Sequence, residues 1–120
     1  MAKLVLIRGL PGSGKSTAAK GMSGYFHVEA DMFFMKNGTY KFELSRVLEA
    51  HKWCQKLTRD MLSKGSDVVV SNAFTRHWEM EPYRSMGADS IKVITMFGEF
   101  TNMHGMPPAV IKMLKDRWED

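Results

Sequence analysis

Two glycines, a lysine and a serine stand at a fixed spacing near the start of the chain. Gly9, Gly14, Lys15 and Ser16 satisfy the pattern G-x-x-x-x-G-K-[S/T]. Glycines let such a loop turn around an anion and aim successive backbone N–H groups at it. The lysine supplies a point charge for the β and γ phosphates, and the serine hydroxyl is a ligand for Mg²⁺. The pattern therefore predicts a site for a nucleoside triphosphate.

The residues around this pattern complete the predicted phosphate loop. We expect the nucleotide to contact the following residues: Gly9, Pro11, Gly12, Ser13, Gly14, Lys15, Ser16 and Thr17. Thr17 is placed to contact the α phosphate, and Ser16 is the predicted metal ligand. At average residue frequencies, the four fixed positions match by chance in about 0.5% of chains of this length. A plain glycine-rich turn is therefore a poor alternative.

A carboxylate further along the chain could activate an acceptor. Asp31 follows a predicted strand, and its neighbours Ala30, Met32 and Phe33 are apolar and would desolvate it. Phosphoryl transfer needs a group that orients or deprotonates the attacking hydroxyl, so Asp31 is the predicted catalytic base. A turn-capping role is the alternative that the sequence leaves open. Glu29 is the weaker candidate, because strand alternation places it on the same side but deeper.

The elements that must position these residues alternate between strand and helix. Apolar runs predict strands at residues 3–8, 26–30, 67–72 and 91–97, and helical spacing predicts helices at 15–22, 44–64, 75–86 and 109–119. This alternation predicts an α/β fold, a P-loop NTPase-type parallel sheet of about four strands with helices on both faces. Ligands of such sheets bind beyond the carboxyl ends of the strands. The glycine loop, Asp31 and Ser71-Asn72 all lie at those ends.

Together these segments resemble the P-loop kinase domain of phage polynucleotide 5′-kinases and the small AAA-like ATP-binding proteins related to them. The resemblance covers most of the chain and rests on four segments: residues 9–17, Glu29-Ala30-Asp31, residues 67–72 and residues 108–111. It implies that the nucleotide is ATP, with Lys15 and Ser16 serving the phosphates and the metal. It also implies that Asp31 is the general base for a 5′-hydroxyl.

The chain departs from that family where arginines and a metal-side aspartate are expected. The family's arginine after the catalytic aspartate would fall near Phe34, and the lid at residues 98–108 contains no lysine or arginine. A clamping arginine can contribute orders of magnitude in rate. Arg76 is the predicted catalytic replacement, with a solvated arginine in a first helical turn as the alternative. The preceding strand ends in Ser71-Asn72 rather than Asp.

The composition of the chain limits its domain organisation, its compartment and its partners. A chain of 120 residues with 44% hydrophobic content fits a single domain, residues 1–120. The lone Cys54 fits a reducing compartment, and no apolar run is long enough to span a membrane, so we expect a cytoplasmic protein. The net charge of +4 suits a nucleic-acid or nucleotide acceptor without requiring one. A basic stripe at Lys52, Lys56 and Arg59 is better interpreted as a solvated, ion-paired helix face.

Two functions are compatible with these residues. The leading hypothesis is a Mg²⁺-dependent phosphotransferase that moves the γ-phosphate of ATP to a hydroxyl of a nucleotide, polynucleotide or small molecule. Its alternative is a nucleotide-binding regulatory or interaction protein with weak or no kinase activity, which the arginine-free lid favours. A guanine-nucleotide switch is disfavoured, because no Asn-Lys-x-Asp stretch is present. The sequence leaves the acceptor and the oligomeric state open.

Overall fold

The computed structural model describes residues 2–97 and 108–120, apart from the side chain of Lys36. Its elements, in chain order, are β1 (Lys3–Arg8), α1 (Lys15–Lys20), β2 (Phe26–Val28), β3 (Met35–Lys36), β4 (Thr39–Tyr40), α2 (Val47–Ser63), β5 (Val68–Asn72), α3 (Glu81–Arg84), β6 (Ser90–Thr95) and α4 (Pro108–Arg117). Most of the predicted arginine-free lid, residues 98–107, lies outside the described residues. No helix in the described part of the chain is both long and apolar enough to cross a membrane.

Four strands form one parallel sheet in the order β2-β5-β1-β6. β1 pairs along its whole length with β6, and Leu4 to Arg8 pair with Val68 to Asn72 of β5. Parallel neighbours cannot be joined by tight hairpins, so the connections cross over the sheet. The exception is β3 and β4, a separate antiparallel hairpin that turns at Asn37 and Gly38, both with positive φ. The predicted four-stranded α/β P-loop fold is confirmed.

The alternation of side chains along β1 accounts for helices on both faces of the sheet. Leu6 packs into a buried cluster with Ala50 of α2. The next residue, Ile7, points to the opposite face and packs with Ala19 of α1. A parallel strand covered on both faces is apolar at nearly every position, which is why β1 has a continuous apolar run. The predicted placement of helices on both faces is confirmed.

Leu6 gives a direct test of this core, because its side chain is fully buried (0% exposed). Leu6→Ala should lower the free energy of unfolding by about 3 kcal/mol, since it removes apolar contacts and leaves a cavity. Urea denaturation followed by circular dichroism measures the change. The matched control is Leu48→Ala on α2, whose side chain is 76% exposed and should change stability by about 0.5 kcal/mol or less. Equal losses in both variants would contradict the assignment of the core.

Several predicted boundaries differ from the observed ones by one to three residues. The differences are these: α1 ends at Lys20 rather than Met22, β2 at Val28 rather than Ala30 and β6 at Thr95 rather than Phe97, while α2 spans Val47–Ser63 and α4 spans Pro108–Arg117. The change in β2 matters for the site, because a 3₁₀ turn at Ala30–Phe34 replaces the end of the predicted strand. Terminal residues share hydrogen bonds with turns, so periodicity defines element interiors better than ends.

The helix predicted at residues 75–86 is observed as two shorter elements. A 3₁₀ turn at His77–Met80 is followed by the short helix α3. Pro82 lies in the first turn of α3, where a missing N–H is tolerated. Arg76 holds the N-cap position of the 3₁₀ turn, and the Thr75 hydroxyl donates to Glu79 at 2.8 Å.

Candidate active site

The predicted phosphate loop connects β1 to α1. Gly12 and Gly14 have φ values of 83° and 90°, in the left-handed region that side chains rarely adopt. A Cβ at Gly9 would collide with the side chain of Ser13 and would lie 3.0 Å from the carbonyl oxygen of Met96. The backbone conformation and the packing therefore require glycine at these positions. Ser13 is buried, as this close packing demands.

The other residues of the loop and of the first turn of α1 differ in how far they are exposed. Pro11 and Ser16 are half-buried, and Thr17 is exposed on α1. Lys15 is buried, with only 9% of its surface exposed.

The environment of Lys15 is suited to an anionic ligand. Burial lowers the pKa of the Lys15 ammonium, and the carboxylates of Asp31 and Glu29 partly oppose that effect. A buried charge is costly unless an opposite charge compensates it, and the phosphates of a nucleotide would complete that compensation. The Lys15 ammonium is thus electrostatically coupled to both carboxylates. The segment after β2 therefore contributes to the site that the loop begins.

A cavity of about 110 Å³ lies beside the loop. Its walls come from the loop, the turn after β2, α2, the end of β5 and α4, and they include Pro11, Lys15, Asp31, Phe34, His51 and Asn72. Both Lys15, the predicted ligand of the donor phosphates, and Asp31, the predicted base, face this space. The structure thus brings together the three features that topology placed at one end of the sheet.

Asp31 lies in the 3₁₀ turn after β2 and is half-buried. The hydroxyl of Tyr40 donates a hydrogen bond to its carboxylate at 3.3 Å. Burial and the neighbouring Asp31 carboxylate raise the pKa of Tyr40, so this hydroxyl remains a donor at neutral pH. Asp31 is not the residue that caps the turn, because Glu29 holds that position and makes no side-chain capping bond. Its place in the cavity wall favours the chemical role.

Asn72, at the end of β5, supports the turn that carries Asp31. Its side-chain oxygen accepts a hydrogen bond from the N–H of Ala30 at 2.8 Å, and its amide nitrogen donates to the sulfur of Cys54 at 3.6 Å. Because Ala30 stands between Glu29 and Asp31, this contact fixes both carboxylate residues relative to the sheet. A neutral amide thus occupies the strand end where many P-loop enzymes have Asp.

Glu29 is the residue that sequence analysis underrated. It is only 6% exposed, and its Oε1 accepts hydrogen bonds from the Ser16 hydroxyl at 2.5 Å and from Nε2 of His27 at 2.9 Å. Burial acts to raise the pKa of Glu29, but hydrogen bonds from His27 and Ser16 outweigh it and lower that pKa to about 2. An ionised carboxylate therefore lies beside the predicted metal ligand.

Two arginines contact the C-terminal segment: Arg76, the predicted catalytic replacement, and Arg8 at the end of β1. Arg76 is exposed, and its guanidinium donates to the carbonyl of Arg117 at 3.4 Å. Arg8 is buried, donates to the carbonyl of Glu119 at 2.5 Å and stacks on Trp118 with its guanidinium carbon 4.2 Å from the ring centroid. Neither lines the cavity described above. To reach a nucleotide, Arg76 would have to leave Arg117, and its catalytic role stays a prediction.

His51 and two phenylalanines form the far wall of the cavity. The helical spacing predicts His51 as a core residue, but the structure places it half-buried at the cavity, where burial lowers the pKa of its imidazole. Phe34 is 4% exposed, and its ring centroid lies 5.2 Å from that of Phe42. The aromatic segment therefore packs inward as part of the cavity wall.

Solved structures with the same architecture define the class of fold. The chain is similar to a gluconokinase from Sinorhizobium meliloti 1021 (TM-score 0.67, 17% identity, 98% of this chain and 75% of that one). It is also similar to a sugar kinase from Janibacter sp. HTCC2649, with a TM-score of 0.59 and 20% identity over 100% of this chain and 69% of that one. A third similar structure is a chain of the Pnkp1/Rnl/Hen1 complex, with a TM-score of 0.59 and 21% identity over 99% of this chain and 40% of that one. At these identities the likeness shows a P-loop kinase-like fold.

Residues 4–96 match the AAA domain family, and the chain belongs to that family. It is similar to human NEDD4-binding protein 2, with 40% identity over 86 residues, which are 67% of this chain but 5% of the human protein. It is also 29% identical over 131 residues to an uncharacterized protein of Pasteurella multocida, covering 92% of this chain and 73% of that protein. The predicted resemblance to P-loop kinase-like and AAA-like ATP-binding proteins is confirmed.

Proposed function

We propose that the chain is an ATP-dependent phosphotransferase whose acceptor binds in the cavity beside the phosphate loop. The observation that supports this most strongly is that Lys15 and Asp31 line the same cavity. Lys15 and the loop N–H groups hold the donor phosphates, and Asp31 orients the acceptor hydroxyl. The acceptor oxygen forms a bond to the γ phosphorus while the bond to the bridging oxygen of ADP breaks. The hydroxyl proton passes to the Asp31 carboxylate.

The residues beside the loop suit Mg²⁺ as the metal of this reaction. Mg²⁺ prefers oxygen ligands and is usually bound by one or two carboxylates together with substrate phosphates and water. Ser16 offers a hydroxyl, and the Glu29 carboxylate lies 2.5 Å from it. Ser16 would therefore hold the cation. Bound there, Mg²⁺ would neutralise charge on the β and γ phosphates.

The cavity favours a small acceptor with an uncharged body. Its volume of about 110 Å³ is comparable to that of a cavity of about 150 Å³ that holds one benzene ring. Apolar groups such as Phe42, Val47 and Ala50 form much of its wall. Among the described residues of this wall, Lys15 carries the only lysine or arginine charge, and the donor phosphates would use it. A small ring-bearing alcohol therefore fits this space better than an oligonucleotide with its own phosphates.

Val47→Phe tests whether the acceptor occupies this cavity. The larger ring, at the start of α2, would fill part of the space and should raise the acceptor KM about tenfold or more, because a poor steric fit of this kind costs 1–3 kcal/mol or so. The affinity for ATP should stay within about twofold, since the phosphate loop is untouched. Leu48→Phe, at the exposed neighbouring position, is the control. An unchanged KM in Val47→Phe would place the acceptor elsewhere.

The proposed function is tested by transfer of label from γ-labelled ATP in the presence of Mg²⁺. The acceptors are nucleosides, ring-bearing alcohols, nucleotides and 5′-hydroxyl DNA and RNA oligonucleotides, with Lys15→Met as the control. Label on an uncharged acceptor, absent with the control, is the expected result. Label on oligonucleotides instead would establish a polynucleotide kinase and contradict the uncharged acceptor. No transfer to any acceptor, with ATP still bound, would favour the function considered next.

The second candidate function is a nucleotide-binding regulatory or interaction protein. The observation that favours it is the engagement of Arg8 and Arg76 with the C-terminal segment, which keeps two cations from the transferring group. Slow ATP hydrolysis without acceptor phosphorylation, together with partner binding that depends on nucleotide, would identify this function. Rapid transfer to any acceptor would exclude it as the main activity.

A further inference from the structure

Glu29 lies beside Ser16, the predicted metal ligand of the phosphate loop. Its Oε1 accepts the hydrogen bond of the Ser16 hydroxyl at 2.5 Å, although the two residues come from different elements. A serine hydroxyl has one proton to donate and two lone pairs. When that proton points to Glu29, both lone pairs of the Ser16 oxygen are left for a cation. The contact therefore prepares Ser16 as a metal ligand instead of competing with that role.

Two further side chains hold the Glu29 carboxylate in place. Nε2 of His27 lies 2.9 Å from Oε1 of Glu29 and 2.9 Å from Oγ of Ser71. The side chain of His27 is 13% exposed and Ser71 is 1% exposed, so this network is largely shielded from water. Partners of this kind commonly orient the carboxylates and histidines of metal sites. Glu29 is thus a fixed group rather than a surface acid.

The order of the strands explains why a residue of the β2 segment can serve the metal. β2 lies directly beside β5, so the residues that follow the two strands are neighbours at the same edge of the sheet. β5 ends in Ser71-Asn72, which provides no carboxylate, and the Asn72 oxygen is used by the N–H of Ala30. Glu29 immediately follows β2 and brings a carboxylate to the position that β5 leaves without one.

The buried negative charge of Glu29 suits a cation bound beside Ser16. Within residues 2–97 and 108–120, its one ion-pair partner is His27, which is cationic only when protonated. A buried carboxylate is costly unless it is compensated; here the hydrogen bonds of His27 and Ser16 stabilise the ionised form, and the Lys15 ammonium attracts it. A cation bound beside Ser16 would add a direct charge partner for Glu29.

We propose that Glu29 provides the carboxylate of the Mg²⁺ site, from the β2 segment, in place of the aspartate that other P-loop enzymes have at the end of β5. This inference rests on the nucleotide binding in the proposed function, and not on transfer to an acceptor. Ser16 and Glu29 together bind and orient the cation that accompanies ATP. His27 and Ser71 position the carboxylate.

The test is the magnesium dependence of ATP binding to the full chain. Isothermal titration gives the Kd of ATP with excess Mg²⁺ and with EDTA, and the ratio of the two values is the magnesium increment. Glu29→Gln keeps the size of the side chain but removes its charge. It should reduce the increment about tenfold or more, as loss of metal-site partners typically does. The Kd in EDTA should stay within about threefold. Glu49→Gln, an exposed acid on α2, should keep the wild-type increment.

Each of the other possible outcomes contradicts the inference for a different reason. A wild-type increment in folded Glu29→Gln means that the carboxylate does not serve the metal. Equal weakening with Mg²⁺ and with EDTA means that Glu29 only shapes the loop. If Glu29→Gln does not fold, Glu29→Asp takes its place. The shorter side chain moves the charge away from Ser16, so the magnesium increment should fall about threefold. An increment equal to that of the wild type would overturn the proposal. A wild-type chain that binds no ATP would instead remove the proposed function itself.

Discussion

Replacing Asp31 by asparagine should reduce the rate of phosphoryl transfer by roughly 10²–10⁴-fold, the usual contribution of a positioned general base. Asparagine keeps the size of the side chain but cannot accept the acceptor's proton. Since Asp31 lines the cavity next to Lys15, the variant should still bind ATP, and removal of a nearby negative charge should not weaken that binding. Single-turnover transfer measures the rate, and titration calorimetry measures the affinity.

Two comparisons make the Asp31 result interpretable. Asp60→Asn removes an exposed acid that pairs with Lys56 at 3.2 Å, and its transfer rate should equal that of the wild type. Tyr40→Phe removes the hydroxyl that donates to Asp31 but keeps the base, so its rate should fall less than that of Asp31→Asn. A wild-type rate in Asp31→Asn would show that this carboxylate is not the base. An equal fall in rate and in ATP affinity would indicate a structural role instead.

The parts of the site that the sequence predicts are those whose requirements are local. Gly12 and Gly14 are required because the backbone has positive φ at those positions, and such a requirement is visible in residue type alone. Asp31 was found because it follows a strand, and parallel strands share the edge where they end. The same topology predicted that Ser71-Asn72 would lie nearby. These inferences needed only the order of the elements.

The parts that sequence analysis missed depend on contacts between elements. Glu29 was set aside as too deep, yet depth is what brings it to Ser16, and the contact exists only because β2 pairs with β5. One signal was available: His27 and Glu29 are two residues apart at a strand end, so they can share one side. The periodicity of α2 places His51 among its apolar positions. Only the position of the cavity shows that this residue lines the cavity wall and is not part of the core.

The role of Arg76 shows the limit of arguments from chain position. It follows β5 closely and therefore lies near the right edge of the sheet, which made it the predicted replacement for the family's arginines. The contact that a side chain makes depends on the direction in which it points, however. The Arg76 side chain, in the turn after β5, points to the carbonyl of Arg117. The direction of a long side chain in a turn depends on local dihedral angles that residue type does not define.

Lys15→Met should weaken ATP binding by roughly 10²-fold or more, because truncating one partner of a buried charge pair costs 2–5 kcal/mol or so. The same change should leave the unliganded protein at least as stable as the wild type. Burial lowers the pKa of Lys15 in the folded chain, so at neutral pH the folded state pays to keep this ammonium charged. Methionine keeps most of the apolar stem and removes that charge.

Loss of affinity together with unchanged or raised stability is a combination that misfolding cannot produce. Thermal melting without nucleotide and titration of ATP on the same samples measure the two quantities. Lys20→Met, at the exposed end of α1, is the matched control and should change neither by more than about 0.5 kcal/mol. A Lys15→Met protein that binds ATP as the wild type does would show that the phosphates bind elsewhere. One that loses both stability and affinity would show that Lys15 supports the fold rather than the ligand.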